Sequence, residues 1–161
     1  MERLFNQFVI LIALAIFIVN SQSCHKNSDK TIELSSDMEK ITWNDSIQYK
    51  CNPFKKNVRY VAYVKPEAMT QTMPQYIYYI KNYPEVGFIF IFSSNEKKTI
   101  KKKLINLEFP IPAFIEADNK FRKYGFIAFI VNKNNEVVST TNPSLPDFEE
   151  TLKEAIKNSR N

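Results

Sequence analysis

Cys24 and Cys51 are the two thiols of this chain, and His25 is its one imidazole. The cysteines lie far apart in the sequence, so they make neither a Cys-x-x-Cys pair nor a metal-ligand spacing. His25 adjoins Cys24 in a polar stretch. The region downstream therefore has no Cys–His or Ser–His pair for nucleophilic catalysis and no histidine to hold a metal. Three carboxylates, Glu67, Glu116 and Asp118, fall near the ends of apolar runs, where α/β sheets commonly bind ligands. Nothing fixes their spacing, so no acid–base pair is assigned. Gly87 and Gly125 are the two glycines, too few for a phosphate-cradling loop. No metal and no cofactor are expected. Cys51 remains as the candidate lone thiol, with catalytic residues otherwise none. It sits beside Asn52-Pro53, and a structural or incidental thiol is the plainer reading.

The elements that must position any site are organised around the stretch from Val58 to Ser94. It reads VRYVAYV, then KPEAMTQTMPQYIYYIKNYP, then EVGFIFIFSS. The flanking runs are rich in β-branched and aromatic residues, the composition of strands. The second is nearly continuous rather than alternating, as a central strand buried on both faces would be. Between them Met69, Met73, Tyr76, Ile77 and Ile80 recur at helical spacing. Strand, helix and strand make a right-handed βαβ unit. Tyr76 and Tyr83 are expected in the core, and Tyr78 or Tyr79 on an exposed patch suited to a partner.

Pro74 lies inside that helix, where it removes a backbone hydrogen bond and bends the axis. Five residues before it stands Met69, and three before that Pro66. This spacing resembles thioredoxin-like domains of the redoxin, or thiol-disulfide oxidoreductase, type. In that family a strand ends in Cys-x-x-Cys at a helix start, and a proline follows five residues after the second cysteine. Here the four positions read Pro66-Glu67-Ala68-Met69. Pro66 suits the first position of a helix, and Glu67 suits the positive end of its dipole. They make a sound helix start and leave Pro66 and Met69 as degenerate active-site positions. The family also presents substrate backbone beside a cis-proline before its next strand. The corresponding loop reads KYGFIA, and no proline stands between Ala113 and Asn142. Loss of both thiols and of that proline argues against dithiol chemistry. The peroxiredoxin-like arrangement, with its cysteine at a helix start beside a threonine and an arginine, is not matched around Cys51 either.

Residues 1–23 read as a signal peptide. Arg3 gives a short basic start, and Phe8 to Val19 is an unbroken apolar run of 12 residues, short of the roughly 20 that span a bilayer. Cys24 follows Asn20-Ser21-Gln22-Ser23. A cysteine placed so resembles the lipobox of bacterial lipoproteins, in which the signal is cut before a cysteine that carries lipid. Ser21 stands where leucine is most usual. Plain secretion with Cys24 free, or an uncleaved anchor, are the alternatives. The resemblance implies a protein lipid-anchored through Cys24 in the envelope of a Gram-negative-type bacterium. Residues 24–30 would be the lipidated cysteine and its tether, and 31–161 the folded domain.

The remaining elements follow in order. A first strand is expected at Lys30–Ser36 and a hairpin or strand at Ile41–Tyr49. Ser94 or Asn95 is placed to cap a helix running through Leu107, with Ile100, Leu104 and Leu107 on its apolar side. Phe109 to Ile115 leads into a short strand, followed by a short helix ending near Tyr124. Phe126–Val131 and Glu136–Thr140 form a closing hairpin, and Leu145–Asn158 a C-terminal helix. The fold class expected is α/β: a thioredoxin-like fold, with a central mixed sheet flanked by helices on both faces. The net charge of +5 is mostly lysine, and the basic run Lys97–Lys103 carries no interleaved aromatic platform. It reads as a solvated face, with no nucleic-acid partner. The function expected is an interaction or accessory module with an envelope protein as partner. The alternative is a thiol enzyme using Cys51, and a third reading is an unrelated small α/β lipoprotein.

Overall fold

The computed structural model describes residues 38–43, 47–92, 96–116 and 127–160. The chain forms β1 (Glu39–Ile41), β2 (Val58–Val64), α1 (Met69–Asn82), β3 (Val86–Phe92), α2 (Lys97–Asn106), β4 (Ala113–Ile115), β5 (Ile127–Val131), β6 (Val137–Thr140) and α3 (Phe148–Asn158). Short 3₁₀ turns at Pro53–Lys55 and Pro66–Ala68 precede β2 and α1.

The six strands make one mixed sheet in the order β1-β4-β3-β2-β5-β6. β2 and β3 pair in parallel along their whole length, from Val58 beside Val86 to Val64 beside Phe92. β4 extends the parallel set, while β1, β5 and β6 join antiparallel. Every residue of β2 and β3 is buried, as the continuous apolar runs require.

Alternation along β2 divides the core in two. Val58, Tyr60, Ala62 and Val64 face a large cluster with Met69, Met73 and Tyr76 of α1, Ile100 and Leu104 of α2, and Phe148, Leu152 and Ile156 of α3. All three described helices thus pack on one face. Parallel steps from β2 to β3 and from β3 to β4 move the same way across the sheet, so right-handed crossovers put α1 and α2 on the same side. Val61, Tyr63, Ile89, Ile91 and Phe114 face the other side, where Met38, Tyr49 and Phe54 lie against them. That face is covered by the strap 47–57 that crosses from β1 to β2. The short helix expected to end near Tyr124 lies outside the described residues.

A polar spine runs through the helical face. The Tyr60 hydroxyl donates to the Thr141 carbonyl at 3.0 Å and lies 3.0 Å from the Tyr76 hydroxyl. One hydroxyl has one proton, so Tyr76 donates to Tyr60. Tyr76 and Tyr83 are both buried, while Tyr78 is exposed and Tyr79 packs partly against the core.

Two element boundaries differ from expectation. Ile41 ends β1, and Tyr49 belongs to no strand, because β4 offers β1 a partner of three residues only. The C-terminal helix begins at Phe148 and not at Leu145, which is exposed. Asn142 turns the chain there. Its side chain accepts from the Ser144 N–H and its carbonyl from the Leu145 N–H. Pro146 then disfavours a helical Leu145. The first strand at Lys30–Ser36, the Asn44-Asp45 turn and the Ser94–Asn95 cap lie outside the described residues. α2 itself starts at Lys97, after Glu96, with no side-chain capping bond.

Candidate functional site

The C-terminal ends of β2, β3 and β4 meet at one edge of the sheet, and Pro66 and Met69 are there. β2 ends at Val64, Lys65 is extended, and Pro66 opens the 3₁₀ turn that runs into α1. The turn closes when the Met69 N–H donates to the Pro66 carbonyl. Lys103, reaching across from α2, donates to the same oxygen at 2.6 Å. Pro66 is buried, and Met69 has no solvent exposure. The structure therefore brings Pro66 and Met69 to the strand–helix junction where the spacing placed them. It fills that junction with packed apolar side chains, so the chemistry available there is van der Waals contact, not attack.

Glu67 and Glu116, the described members of the three candidate carboxylates, differ in setting. Glu67 projects into solvent, whereas Glu116 is buried at the end of β4, its N–H donating to the Phe92 carbonyl at 3.1 Å. Burial, and then the Glu116 charge, push the Tyr63 phenol well above its ordinary range. A neutral Tyr63 beside Glu116 is part of the core and holds no proton poised for transfer near neutral pH. Asp118 and residues 123–126 of the KYGFIA loop lie outside the described residues, as do Cys24 and His25, while Ile127 and Ala128 belong to β5.

Cys51 is exposed, and it lies at the other end of the sheet. It lines a cleft of about 360 Å³ together with Lys50 and Lys56 of the strap, Lys81 of α1, and Gly87 and Phe88 at the start of β3. β2 spans about 20 Å from this end to Pro66. The strap that carries Cys51 is held firmly. The Tyr49 hydroxyl lies 3.0 Å from the carbonyls of Phe88 and Pro112. Its ring stacks on Phe114 at 6.2 Å, and Phe54 meets Phe114 edge-on at 5.2 Å. Asn52 caps the 3₁₀ turn by accepting from the Phe54 N–H at 3.0 Å. Gly87 lies directly beneath: a Cβ there would stand 2.2 Å from the Pro53 carbonyl oxygen. Sequence reasoning missed this cleft, since its walls come from segments distant in the chain. The available signal was Lys55-Lys56 beside Cys51, with a glycine opening an otherwise bulky strand.

Arg59 was also missed. It is buried in β2 with its guanidinium donating to the Asn135 side chain at 2.6 Å and to the Asn132 carbonyl. Burial lowers its pKa. It ties the β5–β6 turn, where Asn135 takes a positive φ of 66°, to the central strand. Among the described residues no helix is long and apolar enough to cross a membrane, and no group of three or more His, Cys, Asp or Glu side chains is placed to hold a metal.

No protein-family profile matches the sequence, and no curated protein matches it. Solved structures do. A candidate DsbE-type thiol:disulfide interchange protein from Chlorobium tepidum superposes with a TM-score of 0.51 at 16% identity, covering 66% of this chain and 82% of its own. A candidate thioredoxin from Neisseria meningitidis gives 0.51 at 16% identity, covering 68% and 79%. A thiol:disulfide interchange protein of the thioredoxin family, also from Chlorobium tepidum, gives 0.50 at 16%, covering 64% and 82%.

Proposed function

We propose that this chain, which has a thioredoxin-like fold with a mixed six-stranded sheet, is a lipid-anchored envelope protein whose domain works as an interaction or accessory module without dithiol chemistry. The observation that carries the reading is the helix start. A thiol-disulfide oxidoreductase needs an accessible thiolate there and a second thiol to resolve the mixed disulfide. Here Pro66 and Met69 are buried, and the described cysteine, Cys51, lines a cleft at the far end of the sheet. An envelope protein is the partner this reading gives the domain. The anchor rests on the apolar run Phe8–Val19 and on Cys24 after it. An anchor of several acyl chains holds firmly because each buried methylene contributes about 0.8 kcal/mol.

The exposure of Cys51 supports a second reading, a thiol-disulfide oxidoreductase or one-cysteine peroxidase-type enzyme using that thiol. One assay separates the two. Turnover of a disulfide substrate and of hydrogen peroxide is measured for the purified chain, for Cys51→Ser, and for a relative with an intact Cys-x-x-Cys site as positive control. The accessory reading expects no turnover by either form of this chain. Turnover that disappears in Cys51→Ser overturns it and makes Cys51 a catalytic thiol.

A further inference from the structure

We propose that the cleft beside Cys51 binds an anionic amphiphile, an acid group on an apolar body. The site is separate from the helix start at Pro66, and the proposal goes beyond the accessory role. The cleft holds about 360 Å³, within the roughly 300–1,000 Å³ usual for small-ligand sites. It forms where the strap, the end of α1, the start of β3 and the segment before β4 converge. Its apolar lining includes Ile80, Val86, Phe88 and Ile111.

The charge lining it has one sign. Among the described residues Lys50, Lys56 and Lys81 contribute to the wall, and no Asp or Glu does. The ion pairs among the described residues, Lys97 with Glu39 and Lys153 with Glu149, use other lysines. The C-terminal end of α1 borders the cleft through Ile80 and Lys81. That end carries only about half a negative charge, against three full positive ones. The lysines set the sign of the field.

Charge and surface together select the ligand. A simple inorganic anion leaves the apolar lining wet, and a neutral hydrocarbon leaves three ammonium groups without a counter-charge. An acid head group among the lysines with its chain on the apolar lining satisfies both. The walls are preformed. The Tyr49 hydroxyl lies 3.0 Å from each of two carbonyls, one of which takes its proton, and Pro53 rests on Gly87 with no room for a side chain, so little ordering is needed on binding.

Cys51 supplies the reporter, because it lines the cleft. The full chain is alkylated with iodoacetamide, and the rate at Cys51 is followed by peptide mass spectrometry against increasing dodecanoate, kept below its micelle concentration. Reading the rate at Cys51 separates the cleft from any dodecanoate taken up by Phe8–Val19. Dodecyl phosphate gives a second arm that distinguishes the acid head groups, and dodecyltrimethylammonium controls for the chain alone. Dodecanoate or dodecyl phosphate is expected to slow alkylation of Cys51 to a plateau, and the cation to leave it unchanged. K50Q/K56Q/K81Q is expected to raise the midpoint about tenfold, and K81Q alone, on an exposed helix end, about twofold to threefold. Undiminished alkylation with both anions overturns the proposal. So does equal protection by the cationic amphiphile, or a midpoint unmoved in either lysine variant.

Discussion

The Lys103 ammonium donates to the Pro66 carbonyl at 2.6 Å. The same oxygen accepts the Met69 N–H, so a side chain from α2 reinforces the first turn ahead of α1. Lys103→Met removes a charged donor from a partly buried carbonyl. Such bonds contribute about 1.5–3 kcal/mol when fully buried, and partial exposure here lowers that to about 1 kcal/mol. Urea unfolding should show a lower midpoint with an unchanged slope. A midpoint equal to that of the parent chain would mean that the carbonyl is satisfied without Lys103.

Pro66 opens the three-residue 3₁₀ turn and Met69 follows it, its N–H closing the turn on the Pro66 carbonyl, a geometry in which side chains three apart are eclipsed and close. The double substitution P66C/M69C, made on Cys51→Ser, should therefore form an intramolecular disulfide. Alkylation with and without a reductant, read by mass, counts the thiols. Two thiols that stay alkylatable after air oxidation would show that the turn does not bring the two side chains within disulfide geometry.

Gly87 is the contact between strap and sheet. Gly87→Ala drives a Cβ into the Pro53 carbonyl oxygen, 2.2 Å away, with the Pro53 carbonyl carbon at 3.0 Å and Arg59 Cγ at 3.1 Å. The obstacle is backbone and cannot rotate aside. Overpacking of this kind costs about 1–3 kcal/mol. The strap should lift, giving a lower melting temperature together with an altered alkylation rate at Cys51. A variant as stable as the parent, with Cys51 unchanged, would contradict the close packing of strap on β3.

Tyr83 donates to Glu149 Oε1 at 2.7 Å, and Lys153 pairs with the same carboxylate at 2.8 Å. Burial, and then the bond to Glu149, push the Tyr83 phenol up to about 12. The unfolded phenol titrates near 10. A folded pKa above the unfolded one means that the neutral form is favoured in the native state. That stability is fully present below pH 10 and is lost as pH rises from about 10 to 12. In urea midpoints measured from pH 8 to 12, Tyr83→Phe should fall less steeply than the parent across that window. Parallel profiles would show that Tyr83 titrates alike in both states.

The central part of the fold was legible in local residue patterns. Val58–Val64 and Val86–Phe92 carry strand composition, and Met69, Met73 and Tyr76 carry helical spacing. These are local signals, and all of those residues are buried where the pattern put them. The position of Pro66 at a strand–helix junction was legible through the resemblance, by counting the thioredoxin-like spacing back from Pro74. Leu145 was misplaced because Asn142 and Pro146 impose a turn that outweighs apolar periodicity. The cleft, the pinning of Tyr49 on Phe88 and Pro112, and the seating of Arg59 on the Asn132–Asn135 turn were decided by tertiary structure alone. Each joins segments distant in the chain, and the sheet order that brings them together comes from strand pairing and crossover handedness, which leave no mark on the local pattern of residues.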